Sequence, residues 1–191
     1  MTETGPGAAD TPRAGENAPQ TIFDRVPLGL RMLIYGVLFL ASVLGLLPWL
    51  AYQVDVYWPQ LRLEIGWLRA LGVVFGAACL AVYIWSSYLL SHHGRGAYVE
   101  FDPPRQFVAT GPFRWCRNPI AGSLVGVVLG EAIAFSSVGI FLLFIVALPL
   151  AHIQVILLEE PLLRKRFGAA YEEYLTRVPR WLPRPPRGTG S

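Results

Sequence analysis

The most regular feature of the chain is a set of four long apolar runs separated by short polar segments. The runs are Leu28–Leu50, Trp67–Leu90, Ile120–Phe135 and Val138–Leu158. A helix needs about 20 predominantly apolar residues to cross the hydrocarbon core of a bilayer. Three runs reach that length, and the run at 120–135 is shorter. The pattern predicts an all-α integral membrane protein with about four transmembrane helices.

A different periodicity follows the fourth run. One face of the segment from about 161 to 177 carries apolar and aromatic residues at helical spacing, whereas most of its charges fall on the other face. The apolar face consists of Leu163, Phe167, Ala170, Tyr171 and Tyr174. We therefore expect a C-terminal amphipathic helix at the membrane interface. It either rests on the membrane surface or folds over the ends of the spans and closes a pocket.

The two ends of the chain have the composition of disordered tails. Residues 1–25 are rich in Gly, Pro, Ala, Thr and acidic residues, and residues 183–191 are rich in Pro, Arg and Gly. Such segments lack the apolar residues needed to build a core. The prediction is a single transmembrane domain over residues 26–182.

The distribution of positive charge predicts the orientation in the membrane. With four spans, both termini and the segment 91–119 share one side, and 14 of the 16 Lys and Arg residues lie on that side or at its boundary. Only Arg62 and Arg69 lie opposite. Lys and Arg accumulate in cytoplasmic loops, so we expect both termini in the cytoplasm, in an inner or plasma membrane. Attraction to an anionic leaflet accounts for the basic excess, and no nucleic-acid-binding module is visible.

Metal chemistry is not indicated. Cys79 and Cys116 lack the Cys/His spacing of a metal site. The adjacent His92 and His93 form a poor chelate without further ligands. His152, within the fourth run, is either a functional group or a histidine satisfied by a neighbour. Glu131, deep in the third run, is expected to make a helix–helix hydrogen bond.

The third and fourth runs form a helical hairpin, which returns the chain to the side that it left. Two Arg-rich polar segments, one before the hairpin and one after it, should therefore meet at the same membrane face. This convergence of polar side chains favours a binding site for a polar ligand.

Motifs in these two segments resemble the isoprenylcysteine carboxyl methyltransferase family and the related phospholipid N-methyltransferases. The resemblance covers about 90 residues and is specific in the order and spacing of its parts. The first half carries Gly94-Arg95-Gly96, Phe101-Asp102-Pro103-Pro104, Gly111-Pro112-Phe113-Arg114 and Arg117-Asn118-Pro119. The second half carries Glu159-Glu160, Phe167-Gly168, Tyr171, Tyr174 and Val178-Pro179-Arg180.

The resemblance implies a membrane enzyme that transfers a methyl group from S-adenosylmethionine to a lipid or another hydrophobic small molecule. The cofactor would lie at the cytoplasmic ends of the last spans, under the loop and the C-terminal helix. By position, the cofactor-binding residues would be Arg105, Gln106, Phe107, Val108, Phe113, Arg117, Asn118, Pro119, Ile120, Ala121 and Glu159. Val155 and Tyr171 would contact the acceptor. No catalytic acid or base is predicted.

The residue types suit this cofactor, although each has a plainer explanation. Glu159 could meet the positive charge of the cofactor, or it could simply be an acid that favours a helix start before Pro161. The start of the third span offers free backbone N–H groups to a carboxylate. Asn118 there is either a cofactor contact or only an N-cap.

Three positions depart from the resembled pattern. Asn118 stands where many relatives have His, Ala121 where the fuller pattern has Tyr, and Val155 where prenylcysteine methyltransferases have Arg. Val cannot clamp a carboxylate as Arg does, which argues against a prenylcysteine acceptor.

Two alternatives to a methyltransferase remain at the sequence level. Membrane sterol reductases share part of the motif pattern but use NADPH. A non-catalytic membrane scaffold is the other alternative. Glycines spaced four apart, Gly72 and Gly76 in the second run and Gly122, Gly126 and Gly130 in the third, predict close helix packing. They also permit a homo-oligomer.

Overall fold

A computed structural model describes residues 28–94 and 106–185, and the regular structure in these two ranges is entirely helical. The α-helices are α1 (Leu28–Ala41), α2 (Leu47–Tyr57), α3 (Leu68–Gly94), α4 (Pro119–Ala134), α5 (Val138–Gln154), α6 (Glu160–Phe167) and α7 (Ala169–Arg177). The N-terminal tail predicted over residues 1–25, the motif residues 95–104, Arg105 and the end of the C-terminal tail lie outside the described residues.

Two π-helical turns, Ser42–Leu46 and Val155–Glu159, join α1 to α2 and α5 to α6. Each turn directly precedes a helix that has proline as its second residue, Pro48 in α2 and Pro161 in α6. Proline has no N–H to donate to the carbonyl four residues earlier. A local widening of the helix to a π turn accommodates that loss. The chain therefore continues as one long helix through both positions.

Three of the resulting helices are long and apolar enough to cross a membrane. They span Gly36–Tyr57, Leu68–Gly94 and Val138–Phe167, and Pro119–Ala134 is a shorter apolar helix. This confirms the predicted all-α membrane architecture. The first helix runs on to Tyr57, past the predicted end at Leu50, because nothing in the sequence 51–57 breaks it.

The short helix α4 is held against α3 through glycines. A Cβ atom placed on Gly130 would lie 2.6 Å from Gly76 Cα, and one placed on Gly72 would lie 2.5 Å from Ala134 N. The two backbones are therefore in direct contact, as the small-residue pattern predicts. On the same interface Gly126 lies beside Cys79. The glycine faces of α3 and α4 therefore pack against each other within one chain.

A buried carboxylate ties α2 to the start of α5. Asp55 is fully buried and accepts hydrogen bonds from the Ser137 hydroxyl and from the N–H of Val138, the latter at 3.1 Å. An acid at a helix N-terminus is favourable because the first N–H groups lack helical partners. Val128, Ala132 and Ile140 form the buried core beside this contact. Glu131 Oε2 has no hydrogen-bond partner in the described part of the chain, so the expected helix–helix bond is not formed there.

The C-terminal segment predicted as one helix over 161–177 is a corner between two helices. α6 continues the last span, and the chain turns at Gly168, whose φ of 51° is a left-handed value that favours glycine. α7 then runs back, and residues 178–185 follow as an irregular segment, which we call the strap. The corner and the strap bring the C-terminal residues back to the start of α4.

Candidate functional site

Aromatic rings from the loop before α4, from the end of α6 and from α7 form the floor of the candidate site. The Phe107 ring lies 5.1 Å from the Tyr174 ring, 5.4 Å from the Phe167 ring and 6.0 Å from the Tyr171 ring, measured between centroids. Tyr171 is 2% exposed. The apolar face predicted for the C-terminal segment therefore folds over the protein rather than resting only on the membrane.

A hydrogen bond fastens α7 to the loop. The Tyr174 hydroxyl donates to the carbonyl of Phe113 at 2.6 Å, and both residues are buried. Burial, followed by the charge of nearby Glu160, raises the pKa of Tyr171 to about 12. Burial likewise raises the pKa of Tyr174. Both phenols stay neutral near neutral pH, and the Tyr174 hydroxyl acts as a donor.

Replacing Tyr174 with phenylalanine is expected to lower the free energy of unfolding by about 1–3 kcal/mol, because the buried Phe113 carbonyl loses its partner. The measurement is denaturant unfolding of the purified protein. Tyr88→Phe, at an exposed position on α3, is the control and should change stability by less than about 0.5 kcal/mol. Equal effects of the two substitutions would show that the α7–loop bond contributes nothing.

A buried carboxylate between two arginines forms the charged centre of the site. Glu160 Oε1 lies 2.7 Å from Arg180 Nε and 3.2 Å from Arg117 Nη1, and its second oxygen accepts from Arg180 Nη2 at 3.1 Å. The Glu160 side chain is 4% exposed and that of Arg117 is 13% exposed. The hydrogen bond from Arg180 to Glu160 raises the pKa of the Arg180 guanidinium. This cluster links the last span, the start of α4 and the strap.

The π turn explains why Glu160, and not Glu159, is buried here. In an α-helix Val155 and Glu159 would share a face, but a π turn adds a residue and aligns positions five apart. Val155 is fully buried and Glu160 is 3% exposed, whereas Glu159 is half-buried and accepts from Gln154 Nε2 at 3.4 Å. Glu159, the predicted cofactor acid, therefore lies one position off the buried face.

The first turn of α4 retains unengaged backbone donors. Asn118 holds the N-cap position, but its side-chain oxygen accepts no capping hydrogen bond. Its side-chain NH2 group donates to the Arg180 carbonyl at 3.1 Å. The N–H groups of Ile120 and Ala121 have no acceptor within the two described ranges. Arg117 Nε is buried and likewise has no partner in these ranges. Two backbone donors in the first turn of α4 are thus unengaged, and a helix start of this kind suits an anionic group.

The strap lies directly on these residues. Arg117 N donates to the Pro179 carbonyl at 2.9 Å, and Arg184 N donates to the Trp115 carbonyl at 3.0 Å. The Cys116 thiol lies 3.3 Å from the Arg180 carbonyl. Burial raises the pKa of this thiol. The protonated thiol is the form that can donate, so this contact holds at neutral pH.

Sequence reasoning missed three members of the site as site residues: Glu160, Arg180 and Trp181. Extending the apolar face of Leu163, Phe167 and Tyr171 backward by one helical step reaches Glu160, so a signal was present for it. Trp181 Nε1 donates to His152 Nδ1 at 2.9 Å. His152 therefore has a polar neighbour, Trp181. The sequence gives no indication of that contact, because it joins residues that are far apart in the chain.

The remaining predicted residues lie around the same end of the helices. Val108 and Pro119 are buried, while Ile120 and Ala121 are half-buried. Gln106 is exposed, and its N–H donates to the Gly94 carbonyl at 3.1 Å. Val155 offers no surface to an acceptor in this conformation, since it is fully buried. The described residues contain no group of three or more His, Cys, Asp or Glu side chains that could hold a metal ion.

The part of the chain that contains the start of α4 and Glu160 matches a known protein family. The phospholipid methyltransferase family profile matches residues 67–170, which is more than half of the chain and includes α3, α4, α5 and α6. The chain belongs to the phospholipid methyltransferase family. Membership implies methyltransferase activity on lipid substrates. The match includes Arg117, Asn118 and Glu160 and ends before the strap. No curated protein and no solved structure matches the chain.

Proposed function

We propose that the protein transfers a methyl group from S-adenosylmethionine to a lipid, or to another hydrophobic small molecule, at the cytoplasmic membrane face. The observation that carries the proposal is the start of α4. Two unengaged backbone N–H groups lie there, and Arg117, whose buried Nε has no partner in the described ranges, stands two residues before the helix, inside the region that the family profile matches. Such donors suit the carboxylate of the amino-acid part of the cofactor.

The charged centre supports the same assignment. Glu160 holds the Arg117 guanidinium at 3.2 Å, which fixes the arginine beside the helix start. Because Glu160 already meets two guanidinium groups, it is poorly placed to neutralise a sulfonium or an ammonium. Glu159, half-buried one residue earlier, remains the acid proposed for the positive charge of the cofactor. Within the aromatic floor, the half-buried ring of Phe107 is the one proposed for the adenine, since Tyr171 is buried.

S-adenosylmethionine supplies an activated methyl group when bound. Its positively charged sulfur would leave as a neutral thioether once an acceptor takes the methyl group. For this displacement the protein needs to hold the two reactants in line and to exclude water. Neutral Tyr171 and Tyr174 and the strap, which is hydrogen-bonded to Arg117 and Asn118, serve exclusion and orientation. An acceptor that is already nucleophilic requires no proton transfer by these groups.

The acceptor is proposed to be a membrane lipid that reaches the site from the bilayer. Val155, in place of an arginine, lacks the bidentate donors that would select a prenylcysteine carboxylate. The family match points in the same direction, toward phospholipid substrates. The excess of Lys and Arg on the side of the site supports its proposed cytoplasmic location.

The direct test is transfer of radiolabelled methyl from S-adenosylmethionine to lipid by the purified protein in nanodiscs of mixed phospholipids. Arg117→Lys keeps the charge but loses the planar fork and Nε, so we expect at least about a tenfold rise in cofactor KM, equivalent to about 1.4 kcal/mol. Lys165→Ala, at an exposed position on α6, is the control and should behave as wild type. Unchanged KM in Arg117→Lys would remove the assigned role.

A further inference from the structure

The strap places an aromatic ring across the seam between α4 and α5. A Cβ atom on Gly122, in the first turns of α4, would lie 4.0 Å from Trp181 Cε3. On the other side the Trp181 ring centroid lies 5.9 Å from that of His152 in α5, and the two rings share the hydrogen bond at 2.9 Å. Trp181 therefore lies beside Gly122 of α4 and is hydrogen-bonded to α5, at the end of the hairpin that carries the candidate site.

The α5 side of this seam faces outward. His152 is exposed, and so are the neighbouring apolar residues Leu150 at 60%, Ile153 at 50% and Leu157 at 64% exposure. His152 precedes Glu160 by eight residues, which places it about 12 Å deeper along the helix. An ionisable side chain at such a depth is costly and marks a functional position when its partner is identified. Here the partner is Trp181.

The hydrogen bond determines which tautomer the neutral His152 imidazole adopts. Because Nδ1 accepts from the indole N–H, the neutral ring carries its proton on Nε2. That N–H points away from the indole and remains a donor for a polar group that approaches from the lipid. Indole rings are suited to this place, since they combine an apolar body with one polar edge.

We propose that Trp181 is a gate between the bilayer and the cofactor-binding end of α4, with His152 as its latch. In this structure the indole closes the seam over Gly122. When it swings away, the seam opens to a hydrophobic acceptor, and the released imidazole meets the polar head of that acceptor. The proposal rests on the proposed function, because it takes the start of α4 as the place where methyl transfer occurs.

The gate is separable from the rest of the strap. Four strap contacts are made by the backbone of Pro179, Arg180 and Arg184, and the backbone carbonyl of Trp181 lies 3.1 Å from the Cys116 thiol. These contacts do not involve the indole, so the ring can move while they persist. The buried thiol of Cys116, 5% exposed beneath the strap, reports on whether the strap stays in place.

The test uses protein in nanodiscs that contain a diazirine-bearing phosphatidylcholine, with no cofactor added. Photolabelling of the peptide around Gly122 should rise several-fold in Trp181→Ala and rise less in His152→Ala. Trp115→Ala is the control, because this exposed tryptophan contacts the strap through its backbone carbonyl. Unchanged labelling in Trp181→Ala would overturn the gate.

A second measurement distinguishes an open gate from a detached strap. In a Cys79→Ala background, Cys116 should stay as unreactive toward N-ethylmaleimide in Trp181→Ala as in wild type. Rapid alkylation of Cys116 in the variant would show that Trp181 anchors the strap and would overturn the gate. Neither readout needs methyl transfer or cofactor binding, so failure of the gate is distinguishable from failure of the proposed function.

Discussion

Replacing Glu160 with glutamine is expected to lower the free energy of unfolding by about 3 kcal/mol and to abolish measurable cofactor binding. The carboxylate is 4% exposed and holds Arg117 and Arg180 together. Removing one partner of a buried ion cluster leaves uncompensated charge, which costs about 3–5 kcal/mol in other proteins. The partial exposure of Arg180, at 31%, places the expected value at the lower end.

Two neighbouring acids are the matched controls for this substitution. Glu173→Gln breaks an exposed ion pair with Arg177, and such pairs contribute about 0–1 kcal/mol. Glu159→Gln should weaken cofactor binding and cost less stability than Glu160→Gln, because Glu159 is half-buried and Glu160 is buried. Stability is measured by unfolding of the detergent-solubilised protein, and cofactor binding by calorimetric titration with S-adenosylhomocysteine. Equal loss of stability in Glu159→Gln and Glu160→Gln would contradict the assignment of Glu160 as the structural centre.

Replacing Gly130 with alanine is expected to disrupt the contact of α3 with α4 and to destabilise the protein by about 3 kcal/mol or more. The added Cβ would lie 2.6 Å from Gly76 Cα and 2.8 Å from Gly76 N. These are backbone atoms, so no side-chain rotation relieves the overlap. Overpacking that displaces backbone generally costs about 1–3 kcal/mol, and occasionally more. The displaced helix is the one that carries the candidate site.

Gly45→Ala is the matched control, because a Cβ atom there has no neighbour within 4 Å. The same change of residue should therefore be neutral, or stabilising by up to about 1 kcal/mol, since glycine is unfavourable inside a helix. Both variants are compared by thermal unfolding in detergent. A Gly130→Ala variant as stable as Gly45→Ala would show that α3 and α4 are not in backbone contact.

The helical architecture could be read from the sequence because each span is a local property of length and apolarity. The α3–α4 contact was also predictable, since Gly72, Gly76, Gly126 and Gly130 repeat at four-residue spacing. The two π turns were less accessible. A proline at 48 or 161 indicates that the helix is disturbed at that position, but it does not indicate whether the helix kinks, ends or widens.

The candidate site shows the same division between local and long-range information. Arg117 and Asn118 could be placed at a helix start from the Pro119 that follows them. α-Helical spacing forward from Val155 predicts that Glu159 is buried, whereas spacing backward from Leu163 predicts Glu160. The register across the π turn decides between them, and Glu160 is the buried one. The pairs Arg180–Glu160 and Trp181–His152 depend on the turn at Gly168 and on the path of the strap. Neither is encoded in a short motif.

The most direct test of the central claim is ligand-dependent thermal stability of the detergent-purified protein. S-adenosylmethionine, S-adenosylhomocysteine and NADPH are compared side by side, each added to wild type and to Arg117→Lys. A ligand at about 100 times its dissociation constant adds about 2.7 kcal/mol of stability. Tm is expected to rise with the first two ligands, to rise less in Arg117→Lys and not to rise with NADPH. A rise with NADPH alone, or with none of the three ligands, would contradict the assignment of S-adenosylmethionine to this site.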